Sequence, residues 1–301
     1  MPVSRGAKVA DPVVGVLLVL ASTAAFAFGP VGARVAFEGG SNTLTVVALR
    51  GVVAAVLMSL LIGLRREGFA VDQAARQWCL GCGLLQAVVV YGFIGSVASI
   101  PVSVAVLVFF THPILVALFA HWFGSERLTL RKGLLAVLVL VGLALALGAE
   151  ASTLDPYGLG LAVLASGAMV GMILCVGRAQ QLATSTQVNL YATAASTVAF
   201  AAMATVVSGW AMPASATGWV GIAGAGAGIG IGLLALFAAF HYLTVVRATM
   251  LSSIEPLVTI ALAAVVLGER LTSLQWAGAG LVVGSLALFE AASRAQQAEL
   301  S

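Results

Sequence analysis

The tetrapeptide "ERLT" stands at residues 126–129 and again at residues 269–272, at an offset of 143. A repeated polar tetrapeptide is unexpected in a chain of 301 residues of which only 8% are charged. The register extends upstream, because Pro113 and Pro256 each lie thirteen residues before the glutamate of the motif. The repeat therefore predicts that the chain contains two copies of one ancestral unit.

Matches near the start of each copy support the duplication. Asp11-Pro12 and Asp155-Pro156 align at an offset of 144, and "VLAS" follows eight residues after each proline-containing pair, at 19–22 and 163–166. Arg34 then falls on Arg178 in the same register. We expect one copy to span residues 1–148 and the other residues 149–301, together forming one structural unit.

The composition predicts an integral membrane protein. Apolar residues make up 61% of the chain and its mean hydropathy is +1.11, whereas soluble domains carry about 25% charged residues. Fourteen basic and eleven acidic residues are too few to cover a soluble surface of this size. Lipid is therefore the expected surrounding, and the basic residues are too scattered to indicate nucleic-acid binding.

A bilayer core needs about 20 apolar residues per helix. Because five spans per copy is an odd number, the second copy enters the membrane from the opposite side. The predicted fold is an all-α integral membrane protein with ten transmembrane helices arranged as two inverted five-helix repeats. The ten predicted spans cover residues 13–37, 43–64, 78–99, 103–123, 132–148, 157–176, 187–207, 218–243, 250–267 and 275–290.

The distribution of Lys and Arg predicts the orientation. With the amino terminus inside, eleven basic residues lie in cytoplasmic segments and only Arg34 and Arg270 lie in outer loops. We therefore expect both termini in the cytoplasm of a bacterial cell, with the chain in its cytoplasmic (inner) membrane. The sequence Ala25-Phe26-Ala27 resembles a signal-peptidase site, but the apolar run continues past it, so an uncleaved first helix is expected. The Glu-Arg pairs of the two ERLT motifs should form local ion pairs at the interface, with each threonine capping the next helix.

Neither a metal nor a cofactor is expected. Cys79 and Cys82 form a CxxC pair, but no second CxxC or nearby histidine completes a metal-ligand set. At helical spacing the two thiols simply lie on one face. The glycines of "GIAGAGAGIGIG" at 221–232 have the small-xxx-small spacing of close helix packing, which suits either internal packing or a homodimer.

Ionisable groups inside a membrane call for a partner or a function. Glu255 and His241 lie at similar depths on neighbouring predicted helices, where they could bind a substrate ammonium or carry a proton. A buried pair that only joins the two helices is the alternative. Arg50, about seven residues into the second span, could hold a substrate carboxylate or tie its helix to neighbouring carbonyls.

Proline in a helix interior removes a hydrogen bond and frees a carbonyl, so Pro113 and Pro256 predict two symmetry-related kinks. Their neighbours His112 and Glu255 are ionisable, which favours a position at the cavity wall over plain packing. Further candidate lining residues are Tyr91, Gln86 and Asn189, with Phe237, Met169 and Met172 as an apolar wall, although each of these also suits ordinary core packing.

Two five-helix repeats, each ending in Pro-x12-Glu-Arg-Leu, resemble the EamA branch of the drug/metabolite transporter superfamily. The stretch "EPLVTIALAAVVLGERLT" at 255–272 carries the strongest likeness, and the family's common arginine in helix two corresponds to Arg50. The first copy departs from the pattern, since it reads Phe123-Gly124-Ser125-Glu126. The resemblance implies export of amino acids, aromatic and neutral ones among them, or of related metabolites.

The expected function is therefore export of small metabolites by alternating access, with no enzymatic activity. Broad efflux of apolar cationic drugs, with Glu255 as the counter-charge, is the alternative within transport. A polytopic enzyme or a simple channel are the alternatives from other classes, and the dispersed carboxylates disfavour the enzyme.

Inversion makes a direct prediction about the two ERLT segments. Reporter fusions after residue 129 and after residue 272 should report the cytoplasm for the first and the outer compartment for the second. If both fusions report the same compartment, the second copy is not inverted.

Overall fold

The computed structural model describes residues 12–122, 129–147, 154–239, 242–243, 248, 251–252 and 254–300. These residues form helices and short connections, without a strand among them. We number the helices in chain order: α1 Pro12–Glu38, α2 Thr43–Arg65, α3 Gln73–Ser99, α4 Val102–Phe109, α5 His112–Trp122, α6 Leu130–Leu147, α7 Pro156–Ala179, α8 Ser185–Met203, α9 Ala216–Ala239, α10 Glu255–Val266 and α11 Ser273–Leu300. A π-helical turn, Ala204–Ser208, extends α8.

Short polar residues set the helix starts. The Asn42 side chain accepts a hydrogen bond from the Thr45 N–H at the start of α2, and Asp155 accepts one from Tyr157 before α7. Thr184 and Gln187 form a reciprocal capping box at α8, and Thr272 and Gln275 exchange the same pair of bonds at α11. These caps place helix boundaries within a chain that is apolar almost throughout.

In the described part of the chain, seven helical segments are long and apolar enough to cross a membrane: α1, α2, α3, the α4–α5 segment Val102–Phe119, α7, α8 with its π-helical turn, and α9. Helix α10 and the Ser273–Phe289 part of α11 are apolar but shorter. The multi-pass, all-helical prediction agrees with this structure, while a count of ten spans stays a prediction. The predicted fourth span is interrupted, because α4 ends at Phe109 and α5 begins at His112.

Each extensive helix pairing joins the two halves of the chain. Helix α1 packs along α9, α3 along α7, α6 along α11, and α2 against α8. This set of pairings stays the same when each helix of one half is exchanged for its counterpart in the other half. The counterparts are α1 and α7, α2 and α8, α3 and α9, and α6 and α11. The structure therefore has the internal symmetry that the sequence repeats suggest, and the two halves interlock.

Glycines permit the closest of these approaches. A Cβ on Gly32 of α1 would lie 2.6 Å from the carbonyl oxygen of Gly221 in α9, and a Cβ on Gly221 would lie 2.5 Å from the Gly32 oxygen. Gly142 of α6 and Gly278 of α11 face each other's backbone in the same way, at 2.9 Å and 2.6 Å. Small residues let helix backbones approach where lipid supplies no hydrophobic driving force.

We predict that Gly278→Leu lowers the thermal unfolding temperature and the monodisperse yield, because its side chain would strike the α6 backbone. Gly280→Leu is the matched control, since nothing lies within 4 Å of a Cβ at this position of the same helix. Both quantities can be read by fluorescence-detected size-exclusion chromatography after heating. Equal stability of the two variants would contradict the packing of α6 on α11.

Candidate functional site

A buried arginine forms the centre of the candidate site. Arg50 lies in the first half of α2 and is only 8% exposed. One of its guanidinium nitrogens, Nη1, lies 3.9 Å from the position that a Cβ on Gly29 of α1 would occupy, so the side chain reaches towards α1. Within the described residues it makes neither a hydrogen bond nor a salt bridge, and the two ion pairs found there, Arg34–Glu38 and Arg65–Glu67, lie elsewhere. A buried charge without a partner is costly, which singles this position out.

Arg50 lines a small cavity, which we call the Arg50 cavity. Its volume is about 10 Å³ for the centre of a water-sized sphere, which is room for roughly one water molecule. The walls come from α2, α3, α8 and α9. The lining residues are Val47, Arg50, Gly51, Gln86, Val90, Thr193, Ser196, Thr197, Phe200 and Ile229.

Polar side chains make up much of this wall. The Gln86 amide Nε2 donates to Thr193 Oγ1 at 3.1 Å, while Gln86 Oε1 is buried without a hydrogen-bond partner. Ser196 Oγ donates to the Thr193 carbonyl at 3.0 Å. Thr197 Oγ1 faces Gly51 so closely that a Cβ there would overlap it. The cavity thus combines one cation with hydroxyl and amide groups inside an otherwise apolar bundle.

The Arg50 cavity lies where the two halves of the chain meet. Helices α2 and α3 contribute from the first half, and α8 and α9 from the second. Thr193, which lies 143 residues after Arg50 in the chain, lines the same cavity. Binding sites of repeat-built transporters characteristically lie at such an interface.

The break between α4 and α5 has a local cause. Pro113 has no N–H, so the Phe109 carbonyl four residues earlier lacks its helical donor. The His112 ring fills this place, since Nδ1 donates to the Phe109 oxygen at 3.0 Å. Thr111 Oγ1 also lies 3.0 Å from Ser166 Oγ of α7, so the break contacts the other half of the chain.

Glu255 and Pro256 occupy the equivalent place in the second half. Glu255 is the first residue of α10, and a turn at Ile254 precedes it. Its half-buried carboxylate has no hydrogen-bond partner among the described residues. His241, its predicted partner, lies outside the described residues, so the proposed pair is untested.

Glu269 makes a contact that the sequence analysis did not foresee. We expected a local ion pair with Arg270, but the carboxylate instead accepts hydrogen bonds from the backbone N–H groups of Val102, at 2.7 Å, and Ser103, at 3.2 Å. It therefore caps α4 from the other half of the chain, where the free N–H groups and helix dipole favour an anion. The threonine part of the expectation holds, since Thr272 caps α11 and Thr129 Oγ1 accepts from Lys132 N at 3.4 Å. Glu126 and Arg127 of the first motif lie outside the described residues.

Other candidates separate from the Arg50 cavity. Tyr91 packs against the buried cluster that contains Val47 and Ile94. Within the described residues, Tyr91 makes neither a hydrogen bond nor a ring contact to Gln86 or His112. Asn189 donates to its own helix at Ser185 O, 2.8 Å away. Met169 and Met172 are half-buried on α7. Phe237 belongs to α9, but its side chain lies outside the described part.

The three cysteines form a buried cluster between α3 and α7. Cys82 Sγ lies 2.9 Å from Cys175 Sγ, and Cys79 lies in the same cluster. All three are free thiols, and metal-binding groups of three or more ligands are absent from the described residues.

The sequence profile of the EamA-like transporter family matches residues 13–148 and again residues 156–290. The chain belongs to the EamA-like transporter family. It is thus a membrane transporter of the drug/metabolite superfamily, and the profile places one family unit in each half.

Comparison with solved structures supports the fold. Twenty-seven chains of solved structures match this chain. One of them, titled "Crystal structure of protein", has a TM-score of 0.66, and the match covers 93% of this chain and 98% of that one. At 16% sequence identity this likeness concerns the fold alone. No curated protein matches the chain.

Sequence reasoning about this EamA transporter missed the hydroxyl wall of the cavity. Thr193, Ser196 and Thr197 have the i, i+3, i+4 spacing of one helix face within an apolar span. That spacing was the available signal.

We predict that Glu269→Ala lowers the unfolding free energy by about 0.5–2 kcal/mol, the usual loss when a helix N-terminus loses its capping side chain. Chemical or thermal unfolding of the purified transporter measures the loss. Glu38→Ala is the control, since Glu38 is exposed and pairs only with Arg34. An unchanged stability of Glu269→Ala would contradict the capping role.

Proposed function

We propose that this transporter exports small zwitterionic metabolites, namely amino acids of the neutral and aromatic kind, across a bacterial cytoplasmic membrane by alternating access. In this proposal the two halves are inverted repeats of five spans, and both chain termini face the cytoplasm. Arg50 is the observation that carries the proposal. A buried guanidinium that has no acidic partner among the described residues is suited to a carboxylate that arrives with the substrate.

The surroundings of Arg50 support a carboxylate ligand. The guanidinium offers five N–H donors, and the Thr197 hydroxyl in the same wall can add one more. The free Oε1 of Gln86 is an acceptor in the same wall and suits an N–H group of the substrate. The cavity thus offers groups that complement both ends of a zwitterion.

Glu255 provides a second anchor for an ammonium group in this proposal, with His241 beside it. The half-buried methionines Met169 and Met172, with Tyr91 and Phe237, would supply an apolar wall that adapts to different side chains. His112 and Asn189 remain candidate lining residues. Hydrogen bonds from cavity groups fix the charged ends, and the flexible wall accounts for a broad side-chain range.

The small size of the Arg50 cavity supports a gated mechanism. An amino acid is many times larger than one water molecule, so the helices around Arg50 must separate before substrate binds. The interruptions at His112–Pro113 and Glu255–Pro256 are suitable hinges, because neither helix carries continuous hydrogen bonds through its proline. Alternate opening towards each side would then expose Arg50 in turn.

We predict that Arg50→Gln raises the KM for amino acids roughly tenfold to a hundredfold, the loss expected for hydrogen bonds to a charged group. Uptake of labelled amino acids into proteoliposomes measures this effect. Arg66→Gln is the matched control, since it removes the same charge from an exposed residue at the end of α2. Absence of protein-dependent flux for all twenty amino acids would contradict the proposed substrate class.

A second candidate function is efflux of apolar organic cations, which the Glu255 carboxylate favours, since it has no partner among the described residues. It predicts that Glu255→Gln abolishes resistance to cationic drugs in cells while Arg50→Gln leaves that resistance intact. Growth in graded drug concentrations distinguishes the two candidates. If cells carrying Glu255→Gln and cells carrying Arg50→Gln are equally sensitive to the drugs, this alternative is contradicted.

A further inference from the structure

We propose that the Arg50 cavity binds a single small inorganic anion, of the size and charge of chloride, when no carboxylate substrate is present. This inference deepens the proposed function, because it names the occupant of the same site in the resting transporter. It begins from a charge imbalance. Arg50 is buried, and the six acidic residues whose side chains the structure describes, Glu38, Glu67, Asp72, Asp155, Glu255 and Glu269, make no ion pair with it.

The energetic cost of this arrangement calls for a counter-ion. An ionised group inside a low-dielectric bundle is stabilised only if it is paired or hydrogen-bonded. Arginine cannot lose its proton to escape this cost. A mobile anion removes the penalty without occupying the position permanently, which a fixed glutamate or aspartate would do.

The cavity suits an anion by its size and its donors. Its volume of about 10 Å³ corresponds to one water-sized occupant, so a monatomic anion enters after a small outward shift of the walls, whereas an organic acid does not. Thr193 Oγ1 accepts from Gln86 in this same wall. Thr197 Oγ1 makes no hydrogen bond among the described residues and lies in the same wall. The lining therefore includes a cationic residue and a hydroxyl-bearing residue beside a space that holds one small ion.

Gln86 supplies the remaining coordination. Its Oε1 is buried and unpartnered, and a 180° rotation of the terminal amide exchanges its oxygen and nitrogen positions. The oxygen then accepts from the Thr193 hydroxyl, and Nε2 becomes a further donor to the anion. This rearrangement leaves the buried amide fully paired when the anion is bound.

The anion and a substrate carboxylate would use the same donors, so they must compete. Binding of the substrate carboxylate expels the small anion. After the substrate has left, the anion binds again as the helices close. Chloride therefore acts as a place-holder that keeps Arg50 neutralised during the return of the empty carrier. The same competition predicts that chloride raises the KM for a carboxylate substrate without changing the maximal rate.

Thermal unfolding of the purified full-length transporter in chloride or in gluconate, at equal ionic strength, tests anion binding directly. We expect the wild type to unfold about 2 °C or more higher in chloride, because a ligand of the folded state stabilises it by mass action. Bromide should act similarly, since it is also monatomic. Arg50→Gln and Thr197→Val should lose most of the difference, and Arg66→Gln should retain it.

Equal unfolding temperatures of the wild type in chloride and gluconate would overturn the inference, as would a chloride effect of the same size in Arg50→Gln. If Arg50→Gln fails to fold, Thr197→Val decides, since it removes one hydroxyl and keeps the cation. Transport in proteoliposomes is the second measurement. A chloride-induced rise in KM supports competition, and an unchanged KM overturns it.

The two proposals fail in different ways. Chloride-dependent stabilisation that needs Arg50, without flux of any amino acid, would leave the anion site in place and remove the amino-acid function. Arg50-dependent amino-acid flux without any chloride effect would leave the amino-acid function in place and remove the anion site.

Discussion

Close backbone contact between helices from different halves of the chain is the constraint on which this structure depends. Lipid provides no hydrophobic force that would drive one apolar helix against another, so association relies on packing and hydrogen bonds. Gly32 against Gly221 and Gly142 against Gly278 provide this packing. Glu269 adds a charged hydrogen-bonded tie from the second half to the first turn of α4. The two halves therefore fold around each other and form a single bundle.

This interlocking also creates the site. Arg50 is buried because α1, α3, α8 and α9 surround α2, and two of these contacts depend on glycines. Gly226 of α9 packs against the Arg50 carbonyl, and Gly51 lies against Thr197 of α8, where a Cβ would overlap the neighbouring atoms. A cation enclosed in this way is neutralised only by what the cavity admits. Packing, electrostatics and the proposed substrate class thus follow from one arrangement.

Much of the fold was predictable, because composition and repeats act over long stretches of sequence. The apolar runs located the helices, the offset of 143 exposed the duplication, and Pro113 marked the interruption between α4 and α5. The threonines of the ERLT motifs were correctly identified as helix caps. The family resemblance drawn from residues 255–272 is confirmed by the two profile matches.

The site was less predictable, since it depends on which helices meet. Arg50 and Gln86 were recognised from their polarity, but their association with Thr193 and Thr197 requires the packing of α2 and α3 on α8. Glu269 was assigned to Arg270 because they are neighbours in sequence, whereas its partners Val102 and Ser103 lie 167 and 166 residues away. Tyr91 has suitable depth for the pathway but lies on a different face of α3 from Gln86.

The contact between Cys82 of α3 and Cys175 of α7 offers the most direct test of the interlocked bundle, because one thiol comes from each half. A protease site introduced between Leu147 and Pro156 allows the halves to be separated after membranes are treated with a lipid-permeable oxidation catalyst. We predict that the cleaved halves of the wild type and of Cys79→Ser remain joined without reductant and separate when reductant is added. The cleaved halves of Cys82→Ser should separate under both conditions. Complete separation of the oxidised wild-type halves would contradict the packing of α3 on α7 and the interlocked bundle with it.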